Sequence, residues 1–278
     1  MAAVNVQTTP TASRALAARD QGLRPGEQLL LGMAGLGVFF GLWSLLAVLG
    51  WVPARFLPAP WSVAQTFVAL LQEPFAGHVL PTHVASSIGR FLLGWALAVA
   101  VGVPLGLLMG WFRWLDEIVS PLFDALRFIP PIAWVPFAVL WFGTGPLGPT
   151  LVIFAGAFPP CVINAYRGAR LADRRLVEAA LTLGARPRHI LLEVLLPACL
   201  PSLVAGLRIS AGLGWQSLVG AELIIVSSGV GYLIVQAQSN LATAVVLSGM
   251  IAIGLVGFVL DTILRGVERR VVRGWGRT

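Results

Sequence analysis

Lysine is absent from the 278 residues, so all 19 strongly basic side chains are arginine. A P-loop uses a lysine to neutralise the β- and γ-phosphates of a nucleotide, and a chain without one cannot carry such a loop. Charge of either sign is scarce, at 11% of residues. No HExxH and no GxSxG occurs, and no acidic and histidine cluster lies inside an apolar run, so the marks of metalloprotease, hydrolase and proton-driven carrier chemistry are missing. Cysteine is limited to Cys161 and Cys199, set among apolar residues and prolines without a CxxC spacing, and both are expected in the core. His78 and His83 lie five apart, which is not a helical metal spacing, and are expected to be solvated. The sequence therefore predicts no catalytic residues, no cofactor and no metal, and the chain is not expected to be an enzyme.

What the chain has instead is long apolar runs. The first extends over residues 28–54 and exceeds the roughly 20 residues with which a helix crosses a hydrocarbon core. A second runs from Phe91 to Phe112. Residues 128–166 carry no charge and are too long for one helix, so they read as two spans joined at Gly143, Thr144, Gly145, Pro146, Leu147, Gly148 and Pro149. From Val194 to Leu260 only Arg208 and Glu222 are charged, giving two more spans around Ser227, Ser228, Gly229, Val230 and Gly231. The runs are apolar on both parities, which excludes the alternating pattern of a membrane barrel. The expected fold is all-α, with six transmembrane helices: a tail over residues 1–27, a membrane domain over 28–265 and a second tail over 266–278.

The arginines fall in alternate loops. Arg14, Arg19 and Arg24 precede span one, and Arg113 and Arg127 lie between spans two and three. Arg167, Arg170, Arg174, Arg175, Arg186 and Arg188 follow span four, and Arg265, Arg269, Arg270, Arg273 and Arg277 follow span six. By the positive-inside rule these segments and both termini are cytoplasmic, leaving Arg55 and Arg90 for the other side. The net charge of +7 thus serves topology, and no nucleic-acid partner is expected. The tail before Gln28 is longer than a signal-peptide head, so the first helix is expected to stay uncleaved.

Between spans four and five, residues 171–197 read as helix, tight turn, helix. Leu176, Ala180 and Leu183 recur at i, i+4 and i+7 with Val177 and Leu181 beside them. Gly184 falls where a left-handed C′ residue belongs, and Pro187 where the next helix begins. Glu178, Ala179 and Ala180 are followed after three residues by Gly184, and after nine more by Val194, one residue, Leu196 and Pro197. This spacing resembles the EAA loop of permease subunits in binding-protein-dependent ABC importers, with valine at position 194 where isoleucine is commoner. Trp215, Gln216, Ala221 and Glu222 with Ser228, Gly229, Gly231 and Tyr232 resemble the branch serving nitrate, taurine and alkanesulfonates. So do Phe128, Pro130, Pro131, Trp134 and Pro136 with Trp141 and Gly143.

The resemblance implies a type I importer permease whose elbow is a coupling helix, docking through Glu178, Ala179, Ala180, Gly184, Arg186 and Pro187 onto a separate ATP-binding-cassette ATPase present in two copies. It also implies a second permease copy as a homodimer, an extracytoplasmic solute-binding protein and an inner-membrane location. The implied cargo is a small anion, with aliphatic sulfonate, taurine or nitrate first and bicarbonate, a pyrimidine precursor or an aromatic acid as alternatives within the branch. A secondary carrier is the rival outside it.

Arg208, Trp215 and Glu222 recur every seven residues on span five and share one face. This stripe is a candidate lining for the pathway or for the contact between permease copies. The competing reading places Arg208 and Glu222 at opposite ends of the span, each escaping hydrocarbon by position. A carboxylate repels an anion, so Glu222 is expected to be structural or gating. Gly102, Gly106 and Gly110 form a small-xxx-small ridge expected to pack against another helix. Pro130, Pro131 and Pro136 are expected to kink span three.

Overall fold

The structure is a computed structural model that describes residues 25–275. Residues 1–24 of the expected N-terminal tail, with Arg14, Arg19 and Arg24, lie outside the described residues, as does Arg277. The described residues form helices and no strand. Five helices are long and apolar enough to cross a membrane, and a sharply bent pair supplies a sixth. By its internal contacts the chain divides after Trp61 into two compact units.

In the first unit, α1 (Pro25–Val48) is apolar on every side beyond Glu27 and Gln28, the pattern of a membrane-crossing helix. The Trp43 indole donates to the Pro58 carbonyl, 3.1 Å away, and fixes the chain that leaves α1. A short helix, α2 (Pro60–Ala69), runs on from it.

The second unit is built on α3 (Leu80–Trp111), α6 (Leu147–Leu171), α9 (Leu196–Glu222) and α11 (Thr243–Trp275). The most extensive pairing is α3 against α6, which run parallel. It rests on the small-residue ridge, which begins earlier than the sequence spacing suggested. Added Cβ atoms at Gly94, Gly102, Gly106 and Gly110 would come within 3 Å of Ile153, Cys161, the Val162 carbonyl and Ala169, and Ala98 fills the same row. Two backbones can approach this closely only where the side chain is hydrogen or methyl. Helix α9 packs on α6 through Gly156, Gly168 and Gly206 in the same manner. Cys161 and Cys199 are both buried in these seams.

Span three departs from expectation. The segment after α3 is not a loop but α4 (Arg113–Leu126), whose charges lie on one face. A 3-10 turn at Pro131–Trp134 and α5 (Val135–Phe142) follow, bent by 89° from α4. Pro130 and Pro131 sit at the break, where the missing N–H groups and the restricted residue before each proline prevent a continuous helix. Helix α4 climbs beside α6: Tyr166 Oη donates to Asp116 at 2.9 Å, Arg170 lies 3.6 Å from the same carboxylate, and Phe123 meets Phe158 edge to face. The break at Arg127 comes level with Pro159, the middle residue of α6. Arg127 is therefore halfway along the bundle and not in a loop at its end.

The chain after α9 also differs. The apolar stretch beyond Gly231 is not one helix: α10 (Val230–Ser239) ends at Asn240, and α11 starts at Thr243 after a turn with Leu241 at φ 54°. Helix α11 then continues to Trp275.

Candidate functional site

The elbow is built as its residue types require. Asp173 caps α7 (Arg174–Thr182), its carboxylate accepting from the Arg175 N–H at 2.9 Å. At the other end the Ala185 N–H reaches Ala180 O and the Gly184 N–H reaches Leu181 O, the paired bonds of a Schellman motif. Gly184 carries φ 78°, which a Cβ would strain. Backbone of the next helix, α8 (Pro187–His189), begins at Pro187. It runs on through a π stretch, Ile190–Leu195, into α9.

Pro197 explains the π stretch. It has no N–H to return to the Glu193 carbonyl and its ring crowds that carbonyl, so the preceding turn widens and the Leu196 N–H bonds to Leu191 O. Ile190 and Leu195 anchor the stretch in the core. Against it, α7 half-buries Val177 and Ala180. Leu176, Leu181 and Leu183 remain exposed, Leu183 at 88%, and Glu178, Ala179 and Arg186 are exposed with them. The elbow thus presents an apolar surface beside arginines that no other described residue covers.

At the opposite end of the bundle, α3, α9 and the start of α10 are clasped by a buried polar network. Glu222 is 1% exposed. It accepts from Arg90 Nη1 at 2.8 Å, from Ser87 Oγ at 2.8 Å and from the Gly231 N–H at 3.0 Å. Arg90 also donates to the Ser228 carbonyl at 2.9 Å and to the Ser228 hydroxyl. The next two backbone N–H groups are taken as well, Val230 by Ser87 Oγ at 3.0 Å and Gly229 by His83 Nδ1 at 3.1 Å. His83 Nε2 donates to the Phe75 carbonyl at 3.0 Å, so the imidazole is one neutral tautomer with both nitrogens engaged. A turn with Ala76 and Gly77 both at positive φ holds that carbonyl in place. The glycines are required here: a Cβ on Gly229, which has φ 110°, would meet Glu222 Oε1 at 2.4 Å, and one on Gly231 would meet Glu222 Cβ at 2.6 Å.

One expectation is corrected by this clasp and another is extended. His83 is fully buried, not solvated, because its ring is needed to satisfy backbone groups that water does not reach. Glu222 is the last residue of α9, at the helix end that the position reading gave it, and there it is also enclosed by protein and matched to Arg90.

Arg208, Trp215 and Glu222 do lie along one side of α9, and each has its own partner. Arg208 pairs with Asp261 at 2.6 Å and Glu268 at 3.1 Å on α11, and Arg265 holds the other Asp261 oxygen at 2.7 Å. The Trp215 indole donates to the Ile253 carbonyl at 3.2 Å and its ring meets Phe91 edge to face. The open side of α9 carries Ile209, Gly212, Leu213 and Gln216 instead. Two cavities share it, one of ≈ 370 Å³ reaching to Arg127, Pro131 and Pro159, and one of ≈ 510 Å³ reaching to Arg208 and Asp261.

Sequence reasoning missed Arg90, Ser87 and His83 as a set. The signal was present: positions 83, 87 and 90 are spaced i, i+4, i+7, a polar stripe on an otherwise apolar helix. Among the described residues no group of acidic, histidine and cysteine side chains is arranged to hold a metal ion.

Residues 102–273 match the family described as binding-protein-dependent transport system inner membrane component. The chain belongs to this family. A candidate ABC transporter permease of Methanocaldococcus jannaschii is 42% identical over 82% of this chain and 85% of its own length. The taurine transport system permease protein of Escherichia coli is 35% identical over 88% of this chain and 90% of that protein. The bicarbonate transport system permease protein of Synechococcus elongatus is 32% identical over 95% and 99%. In fold, the permease resembles a chain of the inward-facing MetNI methionine ABC transporter with a TM-score of 0.59, at 19% identity over 69% of this chain and 95% of that one. The permease is accordingly a multi-pass membrane subunit of an ABC importer and not an enzyme, and family membership sets the secondary carrier aside.

Proposed function

We propose that this permease carries a small anion, an aliphatic sulfonate or taurine first and nitrate or bicarbonate next, inward across the bacterial inner membrane. The observation that carries the substrate class is near full-length similarity to permeases named for taurine and for bicarbonate, two small solutes bearing an oxyanion. Energy comes from a separate ATPase that docks on the elbow. The exposed Leu176, Leu181 and Leu183 give that partner an apolar contact, and Gly184 sets the angle between the two helices. Glu178, Ala179, Ala180, Arg186 and Pro187 complete the docking segment.

The elbow end is the cytoplasmic end. Arg113, Arg170, Arg175, Arg186, Arg188, Arg269 and Arg273 belong to that end, and the positive-inside rule then puts both termini in the cytoplasm. Two permease copies with two ATPases enclose the path, because the open side of α9 in one copy needs a second wall. A soluble binding protein delivers solute to the opposite end, where the Glu222 clasp holds α10 and acts as part of the outer gate, with Arg208 and Trp215 fixing α9 to α11 behind the path.

The test is growth of a strain lacking this chain on taurine, an alkanesulfonate or sulfate as sole sulfur source and on nitrate as sole nitrogen source. Loss on a sulfonate with normal growth on sulfate is the expected result. Normal growth on all of them would move the substrate to another member of the branch.

A further inference from the structure

Arginine in the middle of a membrane protein is costly unless it faces protein or a watery cavity, and where it occurs it usually serves function. Arg127 is such a residue. It caps the C-terminus of α4 at the break in span three, level with Pro159 in the middle of α6. Its Nε donates to Asp124 at 2.8 Å and its guanidinium lies 4.6 Å from the centre of the Phe128 ring, so one edge of the fork is fixed. The two terminal nitrogens have no acceptor among the described residues, and the side chain is about one-third exposed.

The cavity of ≈ 370 Å³ that Arg127 lines is an open one, bordered by the break, α6 and α9. Gln216 lines it from α9, an exposed amide at membrane depth with no hydrogen-bond partner among the described residues. No aspartate or glutamate lines this cavity; Asp124, paired with the Arg127 Nε, lines an adjoining one, and Arg208, Asp261 and Glu268 line the cavity on the other side of Gln216. The guanidinium edge left over from the Asp124 pair and the unengaged amide offer this cavity planar donors matched to a sulfonate, carboxylate or nitrate, with Asp124 offsetting part of the arginine charge.

We propose that Arg127 and Gln216 form a small-anion subsite halfway across the membrane, in the cavity between the broken span, α6 and α9. This rests on the anion reading above and adds to it the residues that give a transient station to the cargo.

The test does not require the natural cargo. Cys161 and Cys199 are replaced by alanine, Gln216→Cys supplies one thiol, and the full transporter in membrane vesicles is treated with two methanethiosulfonates, the anionic sulfonatoethyl reagent and the cationic trimethylammonium-ethyl reagent. Relative to their rates on a free thiol, the anionic reagent is expected to react about tenfold faster than the cationic one, the size of effect that one nearby charge in a partly aqueous site exerts. The preference should vanish in R127Q and persist in R127K. Failure of both reagents to react, equal rates with Arg127 present, or a preference unchanged in R127Q would overturn the subsite. The ratio with Arg127 in place is a test by itself should the R127Q chain not assemble. A transporter that shows the preference yet imports a cation would keep the subsite and defeat the anion reading; an anion importer without the preference would do the reverse.

Discussion

Glu222 and Arg90 show how a buried charge is accommodated, and the cost falls on whichever partner is left alone. With Glu222 1% exposed and every oxygen engaged, Glu222→Gln leaves Arg90 without its counter-ion inside the protein. The expected loss is about 3 kcal/mol, typical of breaking a buried pair, and should appear as a lowered unfolding midpoint in detergent. The double variant with Arg90→Gln should lose less than the sum of the two singles, because the coupling disappears once. Strictly additive losses would mean that the pair contributes nothing. If Glu222→Gln leaves uptake and ATPase coupling intact at normal expression, the gating role fails while the structural one stands. At Gly229, alanine meets both a disfavoured φ and the Glu222 carboxylate, so Gly229→Ala should destabilise by about 2 kcal/mol or more. Gly254→Ala, where an added Cβ meets nothing within 4 Å, should be neutral or better in the same melting measurement. At this scale the sequence told where polar residues stood but not whom they met: Glu222 and Arg90 are 132 positions apart, and nothing local announces that pairing.

The elements were legible in proportion to how nearly their burden was carried by lipid. Uninterrupted runs gave α1, α3, α6 and α9, and the ridge of Gly102, Gly106 and Gly110 gave their closest seam. Helix α4 was read as a loop because Arg113, Asp116, Glu117, Asp124 and Arg127 break its hydropathy, although in structure those charges pair with one another and with α6. Helix α10 was absorbed into the last span because apolar composition continues across the turn at Asn240 and Leu241. The seam makes a prediction of opposite signs within one helix. Gly106→Ala pushes a methyl to 2.3 Å from the Val162 carbonyl and should destabilise by about 1–3 kcal/mol, whereas Gly89→Ala meets open space and should gain up to about 1 kcal/mol in helix propensity. Melting midpoints that fall equally for both would show that α3 and α6 do not approach as described.

For the whole molecule, the two ends of the bundle divide the labour. One end carries a rigid, fully satisfied clasp over α3, α9 and α10; the other carries an elbow with exposed leucines, joined to α9 through a π stretch that Pro197 imposes. In the function proposed above, a push on the elbow would pass into α9, the helix that lines the open cavities, while the clasp holds its far end. The elbow was the most legible part of the site, since its glycine turn, capping and apolar stripe are all local in sequence. The cavity at Arg127 was the least legible, because it depends on a bend that brings the middle of the chain's third span against α6.

The central claim is that this chain works by docking an ATPase on residues 171–197, and the most direct measurement is recovery of that ATPase with the purified permease. Wild-type chain should bring it down, and Gly184→Val and Leu183→Arg, placed on the turn and on the most exposed leucine of α7 and its cap, should reduce recovery at least tenfold while inserting in the membrane at normal levels. Undiminished recovery with both variants would contradict the account.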